Sequence, residues 1–187
     1  MGISLLSTPR LMILISVLIL CIGCGYQFRA GGKPVGIEIE SLAIPLIESS
    51  SSDMGFEADF TRIIRQEFIS HANVPITGME QASAILSGRI HEIKTQPLTY
   101  DSLQQTVGGR LLTHETTSSR MLKIRLEMSL TDRTTGKVIW HDNSMEEEAM
   151  FDVETDPLAT QYNQKQALMK IASILAKRVY LKTMERF

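Results

Sequence analysis

The side chains best suited to catalysis or metal binding in this 187-residue chain are two cysteines and four histidines. The histidines fall in different predicted elements without metal-ligand spacing, and they are His71, His91, His114 and His141. A zinc site needs three or four converging donors, whereas His91 and Glu92 would point to opposite faces of a strand. The chain contains no glycine-rich phosphate loop and no nucleophile-elbow serine. The sequence therefore predicts no catalytic residue, no metal site and no cofactor.

The two cysteines, Cys21 and Cys24, have the C-x-x-C spacing of redox and metal sites. A thiol-dependent enzyme is the hypothesis that this pair supports, but no other cysteine exists to complete a metal site. The pair lies at the end of an apolar run over residues 11–22, which Arg10 precedes and Gly23 follows. This layout is typical of a bacterial signal peptide. The run is shorter than the roughly 20 apolar residues that a spanning helix needs.

A cleavage site directly before Cys24 resembles the lipobox of bacterial lipoproteins. The resemblance implies that the Cys24 thiol carries a diacylglycerol and that its amine is acylated, so that Cys24 is the membrane anchor. Gly25 stands where the aspartate that retains such proteins in the inner membrane would stand. The resemblance therefore implies an outer-membrane location.

Charge and composition predict a globular domain behind this anchor. Charged residues are 21% of the chain and the formal net charge is −2, which provides no general attraction to nucleic acid or to anionic lipid. We divide the chain into a signal peptide over residues 1–23, a lipidated tether over 24–34 and a single domain over 35–187.

The domain is predicted to be α+β, with the element order β-α-β-β-β-α. Strands are predicted over residues 41–46, 82–94, 121–131 and 138–150, and helices over 53–71 and from Asp156 to the C-terminus. Pro45 favours an edge for the first strand, and Gly88 marks a bulge or close approach in the second. Residues 95–119 are predicted to be a long connection, and 132–137 a hairpin turn.

The strand over 121–131 has the clearest periodicity. Apolar side chains alternate with polar ones, in the order Leu122, Lys123, Ile124, Arg125, Leu126, Glu127, Met128, Ser129 and Leu130. This alternation predicts a sheet with one dry face and one wet face. We therefore expect a four-stranded, mostly antiparallel sheet with two helices packed on one face.

Basic residues near the wet face are the candidate ligand contacts. Lys123 and Arg125 share that face, Arg120 precedes them, and Arg110 lies in the long connection. Guanidinium and ammonium groups gathered in this way could bind phosphate. The alternative is ordinary decoration of a wet face, with Glu127 as an ion-pair partner.

Several local patterns, in this order, resemble the lipopolysaccharide-assembly lipoprotein family, LptE. They are Cys24-Gly25-Tyr26 with Phe28-Arg29, the helix opening at residues 56–61, the stretch at 84–90, the hairpin at 132–140, and Gln166-Ala167-Leu168 with Ile171-Ala172 in the last helix. Together they span nearly all of the chain after Cys24.

The resemblance implies a sheet with two helices, inserted as a plug in a large outer-membrane β-barrel of the LptD type. No enzyme activity is implied, and lipopolysaccharide is an implied further ligand, with Arg110 or Arg120 matching the family's basic position between the second and third strands. The protein would face the periplasm or lie inside the barrel lumen. The competing hypothesis is a lipoprotein adaptor of another envelope machine, such as a regulator of cell-wall synthesis.

Overall fold

The computed structural model describes residues 39–50, 56–107 and 110–184, with side chains described for all of these except 100–107 and 110–116. The predicted signal peptide, the anchor at Cys24 and the tether lie outside these ranges. Within the described residues the chain forms, in order, β1 (Leu42–Ala43), β2 (Glu48–Ser49), α1 (Phe56–His71), β3 (Ala84–Val107), β4 (Arg110–Asp132), β5 (Val138–Asp152) and α2 (Pro157–Met184). The predicted α+β class is confirmed.

The described strands form one mixed sheet in the order β1-β3-β4-β5, with β2 also paired to β3. The two short strands run parallel to β3, whereas β3, β4 and β5 form an antiparallel meander. The sheet thus has five strands where we predicted four. The predicted strand over 41–46 is shorter in the structure, because β1 ends at Ala43, ahead of Pro45, which cannot donate to a ladder. The additional strand, β2, follows at Glu48–Ser49.

Side chains of helix α1 form hydrogen bonds with the backbone of the segment between β1 and β2. The Arg65 Nε donates to the Ile44 carbonyl oxygen over 2.9 Å, and the Ile47 N–H donates to the Thr61 Oγ1 over 2.9 Å. A buried backbone group must find a partner, so these side chains replace the ladder that Pro45 interrupts.

The predicted dry face is confirmed on β4. Leu122, Ile124, Leu126, Met128 and Leu130 are all fully buried. They pack against the apolar stripes of the two helices, which include Phe60, Ile64 and Phe68 of α1 and Ile171, Leu175 and Val179 of α2. Asp156 caps α2, since its Oδ1 accepts the Leu158 N–H over 3.0 Å. Neither described helix is long and apolar enough to span a membrane.

The predicted hairpin turn over 132–137 is confirmed. The Asp132 Oδ1 accepts the Thr135 N–H over 2.7 Å, and the Asp132 carbonyl accepts the Gly136 N–H over 2.9 Å. Gly136 has a φ of 69°. A side chain at this backbone angle would be strained, so glycine is the residue that this turn favours.

The prediction of a long connection over residues 95–119 was wrong. β3 continues to Val107 and β4 begins at Arg110, and their register is traced from Ala84↔Asp132 to Val107↔Arg110. The pairing of β2 with β3 ends at Ile90, and the pairing of β5 with β4 ends at Ser119. Residues 100–107 and 110–118 therefore form a two-stranded ribbon beyond the sheet. The sequence of this ribbon lacks the apolar alternation on which the strand predictions depended, so it was read as a connection.

Candidate functional site

The candidate site is the face of the sheet that neither helix covers. We call it the open face and define it by the following residues of β3, β4 and β5: Arg89, His91, Glu92, Lys94, Lys123, Arg125, Glu127, Ser129, His141 and Glu146. It is the wet face that the alternation on β4 predicted. Cross-strand pairs on such a face bring charged side chains within reach of one another.

Most cations of the open face are ion-paired. The Lys123 Nζ lies 2.9 Å from the Glu146 Oε1, and Lys94 pairs with Glu92. These hydrogen bonds lower the pKa of Glu146 and of Glu92. The Arg89 Nη2 lies 2.6 Å from the Glu48 Oε2, and this contact raises the pKa of Arg89. These pairs agree with the alternative of ordinary wet-face decoration.

Arg125 differs from its neighbours. It is exposed, and within the described residues its guanidinium makes no hydrogen bond or ion pair. Its positive charge nevertheless contributes to the lowered pKa of Glu92 on β3 and of Glu146 on β5. An exposed guanidinium held between two strands is available to an anionic ligand.

The four predicted basic candidates do not form one cluster. Lys123 and Arg125 share the open face, but Arg120 lies on the helix-bearing side of β4, opposite the buried Phe151. Arg110 is the first residue of β4 and pairs with Val107 at the far end of the ribbon. Arg110 and Arg125 are therefore separated by roughly 50 Å of extended strand.

Two residues of the acidic run over residues 146–148 form ion pairs. Glu146 pairs with Lys123, and Glu147 pairs with Arg178 of α2. Arg178 also donates through Nη1 to the Glu146 carbonyl oxygen over 2.9 Å. The run ties the edge strand β5 both to its neighbour and to α2.

A histidine pair that the sequence did not predict flanks Glu127. The His91 Nε2 lies 2.6 Å from the Glu127 Oε2, and the His141 Nε2 lies 2.8 Å from the Glu127 Oε1. Hydrogen bonds from His141 and His91 lower the pKa of Glu127. Each imidazole thus meets a different oxygen of one carboxylate.

A bulge in β3 explains why this pair was missed. Ile90 pairs with Leu126 and Glu92 with Arg125, so His91 is an extra residue without a partner on β4. Our expectation that His91 and Glu92 would point to opposite faces was wrong, because the bulge places both on the open face. A bulge depends on the pairing of two strands, and local periodicity does not report it.

A second bulge lies in β5 beside the same carboxylate. Leu126 pairs with Met145 and Met128 with Asp142, so two residues of β5 stand opposite Glu127 alone. The Asp142 Oδ1 accepts both the backbone N–H and the hydroxyl of Ser144 over 2.9 Å each. Asp142 also pairs with Lys182 of α2. The bulge of β5 is therefore tied to α2 behind the sheet.

The described residues support a metal site or a small-molecule site less well than they support a charged binding surface. In the part of the chain that the structure describes, no group of three or more His, Cys, Asp or Glu side chains is arranged to hold a metal ion. A groove of about 690 Å³ lies between the starts of α1 and α2. Its lining is mainly apolar and amide side chains, with Asp59 and Lys165 as its charged groups. This lining offers no nucleophile with an adjacent base.

Comparison with known proteins identifies relatives of the described domain. The family model LptE, described as lipopolysaccharide-assembly, matches residues 39–183. No curated protein matches the sequence.

Solved structures similar to this chain include rare lipoprotein B from Shewanella oneidensis, at 16% identity and a TM-score of 0.42, covering 74% of this chain and 89% of that one. Lipoprotein B from Nitrosomonas europaea matches at 14% identity and a TM-score of 0.44, with coverages of 83% and 88%. A minor lipoprotein from Acinetobacter baumannii matches at 12% identity and a TM-score of 0.43, with coverages of 76% and 91%.

Proposed function

Because this chain belongs to the LptE family of lipopolysaccharide-assembly proteins, we propose that it is an outer-membrane lipoprotein that assembles with and plugs a lipopolysaccharide-export β-barrel. The observation that carries the proposal is the family match over residues 39–183, which extends from before β1 to the last turn of α2. The proposed role is structural: the protein helps the barrel to assemble and supports delivery of lipopolysaccharide to the cell surface, without enzyme activity.

The anchor is part of this proposal. A diacylglycerol and an amide-linked acyl chain on Cys24 would each contribute about 0.8 kcal/mol per buried methylene, so that several chains hold a protein stably on a membrane. The tether over residues 24–34 would then separate the domain from the bilayer. Gly25, which replaces the retention aspartate, supports the outer membrane as the destination.

The open face and the ribbon are the surfaces that we propose for the barrel contact. The helix-bearing face is occupied by α1 and α2, whereas the open face carries charged side chains that a water-lined barrel interior could match. The ribbon adds two strands whose outer edges are unpaired among the described residues. Unpaired strand edges are a recurring surface for protein recognition.

Arg125 is our preferred contact for a phosphate of lipopolysaccharide. Lys123 is paired with Glu146, and an anion would have to compete with that carboxylate. Arg125 requires no such exchange, and a guanidinium can bind a phosphate through two parallel hydrogen bonds. Arg110 and Arg120 lie on other parts of the domain and would have to act as separate contacts.

The deciding experiment is a pull-down of the full chain, tagged at the C-terminus and extracted in a mild detergent. Recovery of a stoichiometric outer-membrane β-barrel of the lipopolysaccharide-export type is expected. Recovery of a peptidoglycan synthase instead would favour the adaptor hypothesis, and recovery of the chain alone would contradict a stable plug.

A pair of matched variants tests which surface of the domain contacts the barrel. Replacing Arg125, Lys123 and Arg89 together by glutamine changes the charge of the open face without touching the core. Replacing Lys165, Lys170 and Lys177 of α2 by glutamine makes the same change in charge on the helical side. If the open face contacts the barrel, the first variant recovers less barrel than the second.

A further inference from the structure

We propose that a pocket at one side of the open face, which we call the edge pocket, receives an apolar side chain of the partner protein. The pocket has a volume of about 450 Å³ and is lined in part by Arg89, Glu127 and Ser129 of the open face. This inference rests on the proposed function, because the partner that it concerns is the proposed β-barrel.

The edge pocket lies where the pairing of the short strands with β3 is interrupted. β1 pairs with β3 at Ala84 and Ile85, and β2 pairs with β3 at Arg89 and Ile90. Between these pairings, residues 86–88 have register partners on β4 but none on β1 or β2. The segment between β1 and β2 forms hydrogen bonds with α1 instead. An extended polypeptide can follow β3 across such a gap with its own backbone, which favours a protein as the occupant over a lipid chain.

The apolar part of the lining indicates what such a protein would insert. Leu46 and Met79 both line the pocket and are 61% and 53% exposed, and Ile85 of β3 lines it as well. Single exposed apolar side chains are common on protein surfaces, but here two of them border the same cavity. Ser87 and Gly88, which also line it, leave space because their side chains are small or absent. An apolar group in this space would remove Leu46 and Met79 from water.

The charged groups of the lining already have partners within the domain. The Arg89 Nη2 lies 2.6 Å from the Glu48 Oε2, and Glu127 is hydrogen-bonded to His91 and His141. An anionic or cationic ligand would have to compete with these contacts, whereas a neutral apolar group leaves them in place. An apolar centre that paired polar groups surround is the usual arrangement of an energetically important contact between proteins.

The test is a competition for the barrel that the pull-down recovers. The full-length wild type and a full-length variant are co-expressed, the barrel is captured through its own tag, and mass spectrometry gives the ratio of the two bound chains. Leu46→Ser combined with Met79→Ser should bind at about one-tenth of the wild-type level, as for the loss of a central apolar contact. The matched control is Leu158→Ser combined with Tyr162→Ser on α2, where the native side chains are 73% and 63% exposed. The control should bind as the wild type does.

A second variant fills the pocket without removing an apolar side chain. Ser87 is an exposed residue of the lining, so Ser87→Phe occupies the cavity and does not alter the core. We expect this variant to lose barrel binding to a similar extent. Ser173→Phe, at an exposed serine of α2, is its control. The urea midpoints of all four variants should stay close to that of the wild type, which separates a loss of contact from a loss of folding.

The outcomes distinguish this inference from the proposed function. Equal barrel binding by the wild type and both pocket variants would overturn the inference and leave the barrel partnership intact. Recovery of no barrel by the wild type would contradict the proposed function and this inference with it. If the pocket variants lose binding of purified lipopolysaccharide but keep the barrel, the occupant is an acyl chain, and the inference is again overturned.

Discussion

Gly88 of β3 lies so close to Met128 of β4 that a Cβ atom added at Gly88 would be 2.2 Å from the Met128 Sδ. It would also be 3.1 Å from the Glu127 carbonyl oxygen. Met128 is fully buried, so its side chain has little room to move away. The close approach that the sequence suggested for Gly88 is therefore real.

We expect Gly88→Ala to destabilise the domain by about 1–3 kcal/mol, which is typical of an overpacked core. The free energy of unfolding can be measured by urea titration. Gly78→Ala is the matched control, because nothing lies within 4 Å of a Cβ at that position. Equal stability of the two variants would contradict the close contact.

We expect Leu126→Asp to abolish cooperative unfolding. Leu126 is fully buried on the helix-bearing face, within the apolar core, and burial of a carboxylate there is costly. Circular dichroism during heating provides the measurement. Arg125→Asn, one residue away on the open face, should melt cooperatively, and a cooperative melt of Leu126→Asp would mean that the assignment of the two faces is reversed.

The turn carboxylate at Asp132 should make stability depend on pH. Hydrogen bonds from the Thr135 N–H and hydroxyl lower the pKa of Asp132. A carboxylate with a lowered native pKa stabilises the fold above its unfolded pKa of about 3.9, and this contribution is lost as the pH falls through the native value. Asp132→Asn should therefore lower the urea midpoint at neutral pH but not at about pH 2.

The control for that comparison is Asp156→Asn. Asp156 caps α2, and asparagine caps a helix about as well as aspartate does. Its midpoint at neutral pH should stay close to that of the wild type. A loss of the same size at Asp132 and Asp156 would indicate a general effect of removing negative charge.

We expect Cys24→Ala to leave the precursor unprocessed and to lower the amount of assembled barrel. Without a thiol at residue 24 there is no acceptor for the diacylglycerol, and cleavage of this class of signal peptide follows that modification. Mass spectrometry of the mature protein provides the measurement, and Cys21→Ala is the control. Normal processing and barrel levels in Cys24→Ala would contradict the predicted anchor.

We expect Arg125→Ala to weaken binding of purified lipopolysaccharide about tenfold, in a salt-dependent manner. Lys177→Ala, at an exposed site on α2, should have no effect. Surface plasmon resonance at low and physiological salt can compare them. Equal affinities of the two variants would show that Arg125 does not contact lipopolysaccharide. This result would not bear on the barrel partner, which the pull-down tests separately.

The sequence predicted the elements whose burial is periodic. Alternation identified the dry face of β4, and the stripe of Phe60, Ile64 and Phe68 identified α1, because each pattern reports one buried surface. Local turn chemistry was equally informative at Gly136.

The features that were missed depend on pairing between distant segments. The bulge at His91, the two histidines on Glu127 and the continuation of β3 and β4 into the ribbon arise from register, which local periodicity does not encode. The predicted basic contacts were also grouped without knowledge of the sheet faces. Arg120 precedes Lys123 closely in sequence, yet the pleat places the two side chains on opposite faces.

The parallel pairing of β1 and β2 with β3 has a consequence for how the chain folds. β3, β4 and β5 follow one another in an antiparallel meander. β3 and β4 can begin to pair at Val107 and Arg110, and β4 and β5 at Thr131 and Val138, so the meander can start from short loops. Leu42, by contrast, meets Ala84 only after the whole of α1 has been traversed. Closing that loop costs more entropy. β1 is therefore the described strand that has no partner until a whole helix and the start of β3 have been synthesised after it.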